Sequence, residues 1–95
     1  MVLGCATITF RLSDCHSLKE KRKIIKSVIA RVRTHFNAAA AEVALNDVHQ
    51  RAVLGIAVVG NAQNIINSTL DKIIEFIENM HLAEIIDTDM EIMVL

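Results

Sequence analysis

The chain has 95 residues, of which 53% are hydrophobic and none is proline. This length predicts one domain over residues 1–95, and the absence of any polar, Gly- or Pro-rich stretch excludes a long disordered segment. Two cysteines are too few for a disulfide framework, and no signal-peptide pattern or membrane-length apolar run is present, so we expect a cytoplasmic protein with no membrane partner.

The formal net charge of −1 conceals a strong asymmetry along the chain. Residues 1–60 hold nine Lys and Arg against four Asp and Glu, a net charge of +5. Residues 61–95 hold one Lys against seven acidic residues, a net charge of −6. A separation of this kind favours one surface that attracts polyanions.

The first half of the chain predicts a strand, a helix and a second strand. Residues 2–12 alternate with a period of two, which indicates a strand. Ser17 lies three residues before Glu20, a capping box that begins a helix. The apolar stripe predicted for this helix is Leu18, Ile25, Ile29, Val32 and Phe36. Residues 39–46 alternate again, and this pattern predicts a strand with Ala39, Ala41 and Val43 on one side and Glu42 and Ala44 on the other.

The second half repeats this order. Residues 51–59 are apolar and β-branched, which predicts a central third strand. A helix follows Gly60 and Asn61, and a last strand runs to the C-terminus. The stripe predicted for the second helix is Ile66, Leu70, Ile73, Ile77 and Met80. The last strand alternates apolar residues with Asp87, Asp89 and Glu91.

The order β-α-β-β-α-β therefore predicts an α+β fold, a ferredoxin-like two-layer sandwich. Right-handed crossovers place both helices on one face of a four-stranded antiparallel sheet. Because this fold hosts many unrelated functions, a function has to be inferred from particular sites.

Two segments carry a family resemblance. Residues 16–22 (HSLKEKR) open the first helix, and residues 50–59 (QRAVLGIAVV) form the third strand. With Ala41-Glu42-Val43 before them, these segments resemble the bacterial YlxP-like family, also known as domain of unknown function 503, over essentially the whole chain. The resemblance implies a ferredoxin-like fold, no established catalytic residue, and an RNA- or ribosome-linked role, since genes of the family tend to lie beside genes for translation initiation and ribosome maturation. His49 stands where many relatives carry Trp.

The first helix is strongly basic. It carries seven cations in fifteen residues and Glu20 as its only acid. At about 100° per residue, five of them fall in one band beside the buried stripe, and Lys21 and Arg31 fall on the other flank. Same-sign clustering opposes helix stability, so we interpret the band as a phosphate-binding surface, with a solvated face as the alternative. The predicted nucleic-acid-binding residues are Lys19, Arg22, Lys23, Lys26 and Arg33, with Arg51 as a weaker addition.

The uncovered face of the sheet supplies a second hypothesis. Its side chains are small and weakly apolar, which suits packing against another sheet in a homodimer. The residues predicted there are Cys5, Thr7, Thr9, Ala44, Val53, Gly55 and Ala57. The three Phe residues fall on or near the buried stripes, so base stacking on this sheet is not expected.

Two further sets of residues resemble catalytic sites only superficially. Asp87, Asp89 and Glu91 are interpreted as edge-strand charges that prevent aggregation, in preference to a divalent-metal or acid/base role. Arg11 is their expected partner, with Arg51 as the alternative. The loop Ser13–Ser17 holds Ser, Asp, Cys and His, but neighbours in sequence rarely converge, and no zinc-site spacing is present.

The sequence therefore predicts a non-enzymatic, RNA- or ribosome-associated binding protein with no catalytic residue, cofactor or metal. The alternative is a dimeric structural or ligand-sensing module that uses the open sheet face.

Overall fold

The computed structural model describes all 95 residues. The elements are β1 (Val2–Arg11), α1 (Leu18–His35), β2 (Ala39–Ala44), β3 (Arg51–Gly60), α2 (Gln63–Glu78) and β4 (Glu84–Val94). The strands form one antiparallel sheet in the order β2-β3-β1-β4. Both helices cover the same face, which confirms the predicted ferredoxin-like arrangement.

The core lies between the two central strands and the helices. Alternate residues of β1 and β3 face the helices, so that Ile8 pairs with Leu54 and Phe10 with Ala52, all of them fully buried. The buried stripe of α2 is Ile66, Leu70, Ile73 and Ile77, four of the five predicted residues. The fifth, Met80, lies beyond the end of the helix and is half-buried. These residues belong to one apolar cluster that also includes α1, so a single core fixes both helices on the sheet.

Helix α1 begins where the capping box predicts. The Ser17 Oγ accepts a hydrogen bond from the Glu20 backbone N–H at 3.1 Å, and the Glu20 carboxylate accepts one from the His16 backbone N–H at 2.9 Å. The helix ends at His35, and the N–H of its C-cap, Phe36, donates to the Val32 carbonyl at 2.8 Å. Phe36 therefore belongs to the cap, where its ring packs edge-on against Phe76 at 5.5 Å.

The buried face of α1 corrects the predicted stripe. Lys21, expected on an exposed flank, is fully buried in line with Ile25, Val28 and Val32. Its Nζ donates to the backbone carbonyls of Leu45 at 2.8 Å, Asn46 at 3.2 Å and Arg51 at 3.3 Å. The Lys21 ammonium is buried because each of its three N–H groups has an acceptor: two carbonyls in the loop between β2 and β3 and one at the start of β3.

A carboxylate balances this buried charge. The Glu42 Oε2 lies 2.7 Å from the Lys21 Nζ, and the Glu42 side chain is only 14% exposed. The contact is an ion pair in which Glu42 Oε2 has no hydrogen-bond partner, because the three carbonyls already match the three N–H groups of the ammonium. Glu42 therefore faces the helices.

This pairing also reverses the prediction for the first part of β2, whereas Ala44 lies opposite Val53 on the uncovered face as predicted. Ala39 and Ala41, expected on the same side as the core, are exposed on the uncovered face of the sheet. A bulge between Glu42 and Ala44 then brings Val43 onto that face as well. The Val43 side chain covers Gly55, where an added Cβ would lie 2.7 Å from Val43 Cγ1. A side chain at position 55 would displace Val43.

The acidic row of β4 lies on the uncovered face, as the alternation predicts. Its residues stand opposite β1 in the pairs Cys5–Glu91, Thr7–Asp89 and Thr9–Asp87. The predicted partner is wrong, because Arg11 pairs with Glu84 at 3.6 Å. A register shift after Thr9 places Glu84 directly opposite Arg11, which leaves the row without any cation within 4.0 Å.

We expect Lys21→Met to lower the free energy of unfolding by about 3–5 kcal/mol, because it leaves the Glu42 carboxylate buried without a counter-charge. Urea unfolding of the variant and the parent measures this difference. The matched control is Lys26→Met, an exposed position on the same helix, for which a change within about 0.5 kcal/mol is expected. Equal losses in the two variants would contradict the structural role of Lys21.

Candidate nucleic-acid interface

The exposed face of α1 carries a band of cations. Although two of its members are adjacent in sequence, all of them lie within about 100° of one another around the helix axis. The band consists of Lys19, Arg22, Lys23, Lys26 and Arg33, and every one of these residues is exposed. It faces away from the sheet, because Lys21 and Ile25 occupy the opposite, buried side of the helix.

No carboxylate neutralises the cationic band. The chain contains two ion pairs within 4.0 Å, Arg11–Glu84 and Lys21–Glu42, and neither involves a residue of the band. Three of its members lie in the first turns of α1, where the positive end of the helix dipole opposes them and Glu20 alone offsets it. An arrangement that works against the stability of its own helix suits an anionic ligand.

Arg51, the sixth predicted residue, lies elsewhere. It begins β3 directly opposite Arg11, and the next residue, Ala52, faces the core. Strand alternation therefore directs the exposed Arg51 side chain to the uncovered face, away from α1. The structure does not bring Arg51 together with the cationic band, although its backbone carbonyl helps to bind Lys21. A separate role for Arg51 in nucleic-acid binding stays a prediction.

The charge asymmetry between the two halves of the sequence is also present in the folded molecule. Helix α1 packs beside β2, whereas α2 packs over β1, β3 and β4. The acidic residues of α2 and β4 are exposed on this second side of the molecule: Asp71, Glu75, Glu78, Glu84, Asp87, Asp89 and Glu91. Most of this acidic charge thus lies on a different side of the molecule from the cationic band, which favours the approach of a polyanion towards α1.

The three Phe side chains are not available for stacking on a base. Phe10 is fully buried, and Phe36 and Phe76 are half-buried against each other. His35 adds a tilted ring contact to Phe76 at 4.5 Å between centroids. The interface on α1 therefore offers charge without an aromatic platform, which suits contact with phosphates.

The loop before α1 does not form a nucleophilic site. The Ser17 hydroxyl oxygen serves as the helix cap, and the Cys15 side chain is buried. Burial raises the pKa of the Cys15 thiol above its ordinary value, the carboxylates of Glu20 and Asp14 raise it further, and the Lys21 ammonium lowers it by less. The thiol is therefore the neutral, unreactive form at neutral pH.

Three further features concern metal binding, membrane insertion and the binding of a small ligand. No three His, Cys, Asp or Glu side chains lie close enough together to bind a metal ion. Neither helix is sufficiently long and apolar to cross a bilayer. A cleft lies beside the first turns of α1, lined in part by Cys15, Glu20 and Lys23.

Sequence reasoning missed two parts of this region, the cleft and the buried Lys21–Glu42 pair. The pair had one recoverable signal. Lys21 precedes Ile25, Val28 and Val32 by four, seven and eleven residues, which is the spacing of a buried helix stripe. The sequence contains no signal for the cleft, because the cleft forms between segments that are distant in sequence.

The two cysteines are expected to differ in reactivity. At about pH 8, iodoacetamide should modify the half-exposed Cys5 at least about tenfold faster than the buried Cys15, whose raised pKa limits its thiolate fraction. Mass spectrometry of peptides from the folded protein measures both rates. Full modification of both thiols in urea is the control, and Cys15 reacting as fast as Cys5 in the folded protein would contradict the burial of its thiol.

A family model and a related bacterial protein indicate the same family for this chain. A family model described as "Protein of unknown function (DUF503)" matches residues 3–90. The uncharacterized protein YlxP of Bacillus subtilis (strain 168) is 32% identical over 78 residues, which span 82% of this chain and 85% of that protein.

Among solved structures, a de novo designed protein with a ferredoxin fold superposes with a TM-score of 0.55. It shares 17% sequence identity, and the match covers 99% of this chain and 84% of the designed one. That likeness concerns the fold alone. By the family match and the Bacillus relative together, the chain belongs to the DUF503 family of proteins of unknown function.

Proposed function

We propose that this protein is a non-enzymatic RNA-binding protein, of the ribosome-associated kind, that binds the phosphate backbone with the cationic band of α1. One observation carries the proposal: five exposed cations share one helix face, and no carboxylate of the chain pairs with any of them. Each phosphate contact made by such a cation releases counterions and adds salt-dependent affinity.

The dimensions of the band support contact with several phosphates. Lys19 and Arg33 are fourteen residues apart, which corresponds to about 21 Å along the helix axis. Lys23 and Lys26 lie between them on the same side. A single strand or one edge of a duplex laid along this face meets cations throughout that length.

The side chains of the cationic band also determine which features of a nucleic acid it recognises. Lys and Arg that contact phosphates fix the position of a nucleic acid but carry little information about its sequence. Because no aromatic ring lies on this face, we expect the band itself to recognise backbone and shape. Sequence preference, where it exists, has to come from another part of the molecule.

Filter binding of a mixed-sequence single-stranded RNA across about 50–200 mM salt tests the proposal. The triple variant Arg22→Gln, Lys23→Gln, Lys26→Gln should reduce affinity strongly and lower the slope of log affinity against log salt by about 2, since each lost contact to a single strand removes about 0.7. The expected physical reason is the loss of three phosphate contacts.

The matched control removes the same number of positive charges outside the cationic band, through Arg11→Gln, Arg31→Gln and Lys72→Gln. It should keep most of the affinity and of the slope. Two results contradict the proposal: undetectable binding of the parent protein at low salt, or equal losses in the two triple variants.

A second candidate function, self-association through the uncovered sheet face, is favoured by an apolar groove of about 480 Å³. The bulged Val43 forms one wall, and small residues form the floor. The apolar lining includes Cys5, Ala39, Ala41, Gly55 and Ala57. The acidic row of β4 lies beside this groove, so a second copy would contact mainly the β2–β3–β1 part of the face.

Sedimentation equilibrium tests this candidate. At high micromolar concentration the parent should self-associate. The variant Ala41→Glu should be monomeric at the same concentration, because it places a carboxylate in the groove and burying an unpaired charge is unfavourable. Asn64→Glu, at an exposed position of α2, is the control and should leave the oligomeric state unchanged. A strict monomer in the parent removes this candidate.

A further inference from the structure

A cleft of about 840 Å³ opens at the end of the molecule where α1 begins. It lies between the end of β1 with its following loop, the first turns of α1, and the connection from α2 to β4. Its volume falls within the range of small-ligand sites. The cationic band of α1 reaches this cleft through one residue, Lys23.

The lining of the cleft defines the chemistry it accepts. The apolar part consists of Leu12, Cys15, Ile24, Leu82, Ala83 and Ile85. Four carboxylates surround it, and they belong to Asp14, Glu20, Glu78 and Glu84. Two cations also line it, but Arg11 is paired with Glu84, so Lys23 is the one cation without a carboxylate partner.

This distribution of charge excludes phosphate from the interior. Carboxylates accept hydrogen bonds and repel other anions, so the cleft suits an uncharged group with an apolar body and several N–H donors. The phosphate attached to such a group is accommodated outside the cleft, at Lys23 and its neighbours in the cationic band. A nucleobase joined to a backbone phosphate has this combination of properties.

His81 adds an independent observation at the same place. It lies just beyond the end of α2 with φ 53°, in the left-handed region where glycine is the usual residue, and it is one of the residues that line the cleft. Imidazole is one of the aromatic groups on which an unstacked base packs, so His81 is the stacking candidate at this cleft.

We propose that the cleft receives one base of the bound RNA and that it prefers bases with amino groups, guanine above the others. The inference rests on the proposed function, because the cationic band holds the backbone that delivers the base. Guanine presents its N1–H and N2 amino group side by side, so one carboxylate accepts both. Uracil presents a single N–H between two carbonyl oxygens, which the carboxylates repel.

Uncharged nucleosides test the cleft without involving the cationic band. In ¹⁵N-HSQC spectra, guanosine should shift the amide signals of residues 12–15 and 78–85 in a saturable manner. Inosine, which lacks the N2 amino group, should bind about tenfold more weakly, in line with the value of a bidentate base contact. Uridine should bind more weakly still.

Variants identify the groups responsible. Glu78→Gln and Glu84→Gln should each weaken guanosine binding several-fold, whereas Glu75→Gln, on the same helix as Glu78 but outside the cleft, should have no effect. His81→Gly should weaken binding without lowering the thermal unfolding midpoint, because glycine adopts the left-handed conformation without strain. Unchanged affinity in His81→Gly contradicts the stacking role.

Three results overturn the inference: no saturable shifts with guanosine at millimolar concentration, equal affinity for guanosine and uridine, or shifts caused by spermidine and by none of the nucleosides. The last result would identify the cleft as a site for a cationic amine. Since nucleosides carry no phosphate, each of these outcomes is independent of whether the cationic band binds RNA in the filter assay.

Discussion

The buried ammonium of Lys21 is the contact on which the orientation of α1 depends. Three backbone carbonyls and the Glu42 carboxylate surround it, and two of the carbonyls come from Leu45 and Asn46 in the loop between β2 and β3. Leu45 adopts φ 58°, a conformation that is unfavourable for a leucine and that accompanies the shortest of the three hydrogen bonds. A buried lysine is tolerated here because every N–H has an acceptor and its charge has a partner.

This contact has a direct consequence for the surface. With Lys21 directed at the sheet, the residues on the opposite side of the helix must face solvent, and these include Arg22, Lys23 and Lys26. The same contact orients Glu42 inward and leaves Ala39 and Ala41 on the uncovered face. One ion pair thus settles both the direction of the cationic band and the character of the open sheet.

The ferredoxin-like topology then separates the charges. Since α1 lies beside β2 and α2 lies over β1 and β4, the basic first half and the acidic second half of the chain occupy different sides of the molecule. The acidic row on β4 also leaves that edge strand poorly suited to pairing with a second copy of itself, because like charges would stand side by side. The cleft lies where the two sides meet, and Lys23 and Glu78 in its lining come from one side each.

Much of this protein follows from the sequence alone, because periodicity and capping are local properties. The order of elements, the capping box at Ser17, the stripe of α2 and the exposure of the cationic band are all readable from residues within a few turns of one another. What only the tertiary structure decided involves partners distant in the chain: Lys21 and the carbonyls 24 to 30 residues away, Arg11 with Glu84, and the walls of the cleft. A lysine on a helix is ordinarily exposed, and nothing within its own helix reveals that β2, β3 and the loop between them offer it three acceptors and a counter-charge.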